Sequence, residues 1–144
     1  MEIWPDLEVS TVKSVEDLVG IPFKSEGRTL DGADCWGIVT LYYNLVLGKK
    51  IHSYMIDADD FARISETMLS EIHTSKWEIL DKPEPNCIAL MRLGYCSAPI
   101  NHAGVILPSG RLLQSYESTG SIIVDPTNPL WSRIIKFYIK PRCI

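Results

Sequence analysis

The sequence predicts an α+β fold, with N-terminal helices packed on an antiparallel β-sheet of about five to six strands. Two observations carry that prediction. Apolar residues recur at helical spacing as far as about residue 72, and after Thr74 they fall into short runs separated by turn residues. A third observation is size. A chain of 144 residues, 46% hydrophobic and 22% charged, can bury a core without metal or disulfide staples. It holds no internal repeat, low-complexity tract or linker, so residues 1–144 read as a single domain.

The elements follow in order. Ser14-Val-Glu-Asp17 has the spacing of a capping box, with Asp in the place of Glu or Gln, and opens a short helix that ends at Gly20 and Pro22. Residues 23–32 contain two glycines and little periodicity, and read as loop. A helix is expected from near Asp34 to Gly48, because Ile38, Leu41, Tyr42, Leu45 and Val46 keep the spacing of one buried stripe. A second helix begins near Asp57 or Asp59, with Phe61, Ile64, Met68, Leu69 and Ile72 as its apolar face. Asp57, Asp59 and Asp60 read as its cap rather than as a metal site. Strands are expected at 77–81, 87–92, 102–107, 111–115, 121–125 and 134–140, with a tight turn at Pro108-Ser-Gly110.

Charge and cysteine usage exclude several classes. Net charge is -4 and the largest basic cluster is Lys49-Lys50, so no basic stripe is available for nucleic acid. The N-terminal segment has acidic residues and a proline where a signal peptide needs positive charge and an apolar run. No stretch approaches the roughly 18 apolar residues of a membrane span. The expectation is a protein made in a cytoplasm without a signal peptide. Cys143 stands second from the end, not at the prenylation position. Cys35, Cys87, Cys96 and Cys143 are expected as reduced thiols. Their spacing, with His52, His73 and His102, suits no zinc site, so no metal or cofactor is expected.

Three residues have the character of a nucleophilic site. Cys35 falls in the first turn of the Asp34–Gly48 helix, where unpaired N–H groups and the helix dipole favour a thiolate and can serve an oxyanion. It is therefore expected to be the most reactive of the four thiols. His102 opens a strand in which Ala103, Val105 and Leu107 face one way and His102, Gly104 and Ile106 the other. Gly104 leaves room beside the histidine. Gln114 follows the hairpin turn on the antiparallel strand, and its amide oxygen can orient the imidazole. His52 and His73 read as surface residues, and Trp4, Trp77 and Trp131 as core or rim.

The segment GRTLDGADCWGIV resembles the nucleophile motif of the NlpC family of cell-wall peptidases, roughly GG(R/x)SxxGxDCSGLV. Gly27, Arg28, Gly32, Asp34, Cys35 and Gly37 fall in register, with Ile38-Val39 as the apolar pair. Downstream, PEPNCIALMR resembles the family's PGDLVFF-like strand without its Gly-Asp. NHAGVILPSGRLLQS is similar to the HVGIYLGDGRFIH segment that carries the base and the third polar residue, and RIIKFYIKP to the last strand. The resemblance spans about Val15 to Arg142.

It implies a papain-like fold, Cys35 as nucleophile, His102 as base and Gln114 as the third member. Asp34, Trp36 and Phe23 fall on the substrate-binding side. Phe23 stands where peptidoglycan-cleaving members usually have a Tyr. The implied substrate is a peptidoglycan stem peptide, cut between D-γ-glutamyl and diaminopimelate or Lys. Trp36, in place of the commoner Ser, resembles the variant in phage tail-associated members. That implies a virion-tail protein acting at the bacterial wall, with other tail-tip subunits as partners. Two other readings stay open: a silent structural tail subunit, and a Cys–His acyltransferase or amidase.

Overall fold

The computed structural model describes Val12 and residues 14–94 and 97–142. Trp4, Cys96, Cys143 and the segment weighed as an export signal lie outside the described residues.

The Asp17 carboxylate accepts from the Ser14 N–H at 3.2 Å and closes the expected cap, but the turn it opens, Val15–Leu18, is a 3-10 helix. Residues 23–32 are not all loop. Strand β1 (Arg28–Thr29) pairs with β2 (Gly32–Ala33) in a two-stranded ribbon immediately before the helix that Cys35 opens. That helix, α1, spans Cys35–Leu41, and Trp36 through Leu41 are all buried. It does not run on as regular α-helix to Gly48. It widens into a π turn over Tyr42–Val46, with the Leu47 N–H reaching back five residues to the Tyr42 carbonyl at 3.2 Å. Within it, adjacent Tyr42 and Tyr43 both direct their hydroxyls to Asn86, the first at 2.6 Å to its side-chain oxygen and the second to its carbonyl.

Helix α2 (Phe61–Glu71) starts two to four residues later than the sequence suggested, capped by Asp60, whose side chain accepts from Arg63 N–H. Met68 and Ile72 are buried as expected, whereas Phe61, the first of the stripe, is 40% exposed.

All six expected strands form: β3 (Trp77–Leu80), β4 (Ile88–Met91), β5 (His102–Ile106), β6 (Leu112–Tyr116), β7 (Gly120–Val124) and β8 (Ile135–Pro141). A one-turn helix, α3 (Pro129–Ser132), precedes β8; its Asn128 cap and leading proline were overlooked as a helix start. The sheet order is β3-β8-β4-β5-β6-β7, antiparallel at every pairing. Strand alternation separates two cores. Leu90, Ala103, Val105 and Leu113 pack toward Ile38 and Leu41 of α1, while Ala89, Met91, Ile106 and Leu112 pack with Trp131 and Ile134 on the other face. Each fully buried Leu or Ile contributes roughly 1.5–3 kcal/mol. The two-sided burial explains why β4 reads as a continuous apolar run rather than an alternating one.

Candidate active site

The site is built on a lock around the start of α1. Asp34 is the N-cap. Its Oδ1 accepts from Gly37 N–H at 2.8 Å and from Arg28 Nη1 at 2.7 Å, and its Oδ2 accepts from Glu26 N–H at 2.8 Å. Arg28 also donates to the Gly27 carbonyl at 2.8 Å, to Ser53 O from Nε and Nη2 at 3.2 and 2.7 Å, and to Tyr54 O at 3.3 Å. One buried guanidinium thus ties the β1–β2 ribbon, the helix cap and the crossing segment 49–60 together. Gly37 is required there, since a Cβ would sit 2.1 Å from the Gly27 carbonyl oxygen. These contacts fix where Cys35, the first residue of α1, presents its sulfur.

His102 is positioned from the sheet. β5 and β6 pair with Gly104 opposite Gln114, so His102 lies diagonally across from Gln114 on the same face. Gln114 Oε1 stands 2.6 Å from His102 Nε2, and both residues are buried. An amide oxygen only accepts, so this contact places the proton of the neutral imidazole on Nε2 and leaves the Nδ1 lone pair free to act as base. Gly104 keeps the path open: a Cβ there would stand 2.8 Å from Leu112 Cδ1 and 3.2 Å from Gln114 Cβ. Tyr116 sets its ring edge-on to the imidazole at 6.2 Å. Before the strand, Asn101 exchanges hydrogen bonds with Leu93 at 2.6 and 2.8 Å, and the Ile100 N–H donates to Ser65 Oγ of α2 at 3.1 Å. These bonds hold α2 against the approach to His102.

Cys35 and His102 line one cavity of about 530 Å³. Its electrostatics depart from the sequence reading. The helix start does not make Cys35 a ready thiolate; burial and the neighbouring Asp34 carboxylate push its thiol up to about 12, against a smaller opposing effect of the Ala103 and Trp36 N–H groups and Arg28. Burial also holds His102 down at about 4, with the Gln114 contact opposing it. Near neutral pH the pair is therefore thiol and imidazole. No hydrogen bond joins Cys35 to His102. The chemistry this favours is general-base attack, in which the thiol loses its proton as the sulfur adds to a carbonyl carbon. The Ala103 and Trp36 amides that reach the sulfur are positioned to aid its developing charge.

Three further residues were expected on the substrate side. Phe23 does line the cavity and is half-buried. Asp34 and Trp36 border it too, with their polar groups bonded within the chain. Both Asp34 oxygens are taken by the chain's own donors, and Trp36 Nε1 donates to the His52 carbonyl at 2.7 Å. Trp36 is 4% exposed and stacks edge-on with Tyr54 and Trp77 at 5.5 and 5.9 Å. They build the site rather than offer polar groups to a ligand. His52 and His73 are exposed. The residues that sequence reasoning passed over are Tyr54, Asn101 and Tyr116; nothing in local pattern marks them. Among the described residues no three His, Cys, Asp or Glu side chains converge on a metal position. No helix among them is long and apolar enough to cross a membrane.

No protein-family model matches the chain, and no curated protein matches it in sequence. Among solved structures, the chain is similar to the NlpC/p60 domain of the peptidoglycan hydrolase SagA. The TM-score is 0.56 at 12% identity, over 93% of this chain and 99% of that one. The chain thus has the papain-like α+β fold of an NlpC/p60 domain.

Proposed function

We propose that the chain is an NlpC-type cysteine peptidase that cleaves peptidoglycan stem peptides, at the bond between D-γ-glutamyl and diaminopimelate or Lys. Cys35 is the nucleophile, His102 the base and Gln114 the residue that positions the base. The observation that supports this most is the 2.6 Å contact between His102 Nε2 and Gln114 Oε1, beside the cavity that Cys35 also lines. The fold shared with a domain of a peptidoglycan hydrolase supports the substrate class.

In this reading Nδ1 of His102 takes the thiol proton as Sγ adds to the acyl carbon. The proton then passes to the departing amine as the C–N bond breaks, leaving a thioester. Water, activated by the same imidazole, hydrolyses the thioester and restores the thiol. Trp36, in the motif position that resembles tail-associated members, supports a place in a phage or prophage tail tip, acting at the wall beside other tail subunits.

The test is incubation of the purified protein with defined stem peptides and mass spectrometry of the products. Fragments ending in D-γ-glutamate, absent with Cys35→Ala, support the reading; intact peptides from every wall chemotype overturn it. A second reading, a silent structural tail subunit, draws on the neutral Cys35 and His102 and on Phe23 in place of a tyrosine.

A further inference from the structure

The cavity beside Cys35 is lined mainly by apolar side chains. Among the described residues that line it, the sole Lys or Arg is Arg28, whose donors are spent on Asp34, Gly27, Ser53 and Tyr54. Asp59 and Glu117 stand at its border.

Its wall is aliphatic and long. Phe61, Ile64 and Met68 line it from one face of α2, and Ile56, Leu93 and Ile100 line it as well. Phe61 and Met68 are seven residues apart, roughly 10 Å along the helix at 1.5 Å per residue. That apolar stripe is longer than the side chain of a leucine or phenylalanine. Its volume lies within the range of roughly 300–1,000 Å³ typical of small-molecule sites. Phe61 stays 40% exposed although it heads the apolar face of α2.

We propose that this site accepts a second class of substrate, in which the carbonyl carbon presented to Cys35 carries a linear, uncharged aliphatic chain lying along α2. The inference rests on the Cys35–His102 pair assigned above but not on a peptide substrate. In the reaction, Sγ bonds to the acyl carbon while the C–O bond of an ester or the C–N bond of an amide breaks. His102 relays the thiol proton to the leaving oxygen or nitrogen. Water then cleaves the thioester, releasing the fatty acid and regenerating the thiol, so water is the sole co-reactant.

The experiment uses p-nitrophenyl acetate, butyrate, hexanoate and octanoate, with acylation of Cys35 followed by peptide mass mapping and by p-nitrophenol release. Each buried methylene should raise kcat/KM by about threefold to fourfold, giving a rise of roughly 1,000-fold from acetate to octanoate when all six added methylenes are buried. Phe61→Asp and Ile64→Asp, at half-buried or exposed positions, should flatten that slope. A flat or falling series, with acetate still acylating Cys35, overturns the aliphatic site and leaves the nucleophile assignment standing.

Should no ester acylate Cys35, the nucleophile assignment and the proposed reaction fail together, and binding then tests the aliphatic site alone. Octanamide titrated into Cys35→Ala should shift the Ile64 and Met68 methyl resonances, and N-acetyl-leucinamide should bind at least tenfold more weakly. Absence of octanamide binding, or tighter binding of the leucine derivative, overturns the proposal.

Discussion

His102 and Gln114 are joined across β5 and β6 at 2.6 Å, diagonally past Gly104. The bond does two things at once. It orients the imidazole, and it fixes which nitrogen is available as base. An amide does so without charge, so it stabilises an imidazolium less than a carboxylate would.

Gln114→Ala should therefore lower turnover by roughly 10- to 1000-fold, about 1.4–4 kcal/mol of barrier. Gln114→His, which supplies another ring-orienting polar group, should keep much of the activity. Initial rates on a cleaved substrate, with folding checked by circular dichroism, decide the matter. Full activity in a folded Gln114→Ala protein would remove Gln114 from the mechanism.

The acid limb of kcat/KM is expected near pH 4, because burial keeps His102 neutral down to about that value. In Gln114→Glu a carboxylate replaces the amide, and a negative neighbour favours the imidazolium. The limb should then move upward by a unit or more. A wild-type limb at the ordinary histidine value, unmoved in Gln114→Glu, would contradict the geometry.

Stability should follow the same group. The folded pKa of His102 lies below its unfolded value of 6.5, so the unfolded chain binds more protons between those two points. The contribution is present above pH 6.5 and is lost as pH falls through about 4, on the order of 3 kcal/mol in total. His102→Gln should flatten the denaturant-derived stability across pH 4–6.5. A slope that persists unchanged would assign it to carboxylates elsewhere.

Cys35 should behave as a suppressed thiol. Its alkylation rate with iodoacetamide should keep climbing through pH 9–11, where an ordinary thiol has levelled off. Cys35 should still react ahead of Cys87, which is 1% exposed and also raised by burial. Cys35→Ala should abolish turnover with little change in Tm, since a small side chain is lost. Rate saturation near pH 8 would show that the thiol is not held up.

Removing the lock should cost far more than removing the nucleophile. Asp34→Ala strips the cap of α1 and leaves the buried Arg28 guanidinium unpaired, a loss expected at about 3–5 kcal/mol by urea unfolding. A change below about 1 kcal/mol would mean that Arg28 finds equivalent partners.

Much of the scaffold is written locally. The stripe from Ile38 to Val46 and the alternation of His102 to Leu107 are periodic, and periodicity states which face a side chain takes before any partner is known. The six strands, the capped start of α1 and the hairpin that sets Gln114 near His102 all follow from residues close in sequence. What went unread locally has a common cause. Tyr42 and Tyr43, in the π turn, both bond to Asn86, more than 40 residues away, a contact that no local pattern announces. Arg28 closes on Ser53 and Tyr54 through contacts with no sequence signature.

Sequence alone determined that a cysteine opens a helix, that a histidine opens a strand, and that a glutamine follows on the next. Tertiary structure decided their protonation. A helix N-terminus lowers a thiol pKa through partial charges, but partial burial of Cys35 and the Asp34 carboxylate beside it raise it. Burial and Asp34 there outweigh the Ala103 and Trp36 N–H groups and Arg28. The aliphatic wall along α2 was likewise decided by packing, because the same i, i+3, i+7 spacing serves a core or a cleft, and only the neighbouring elements determine which.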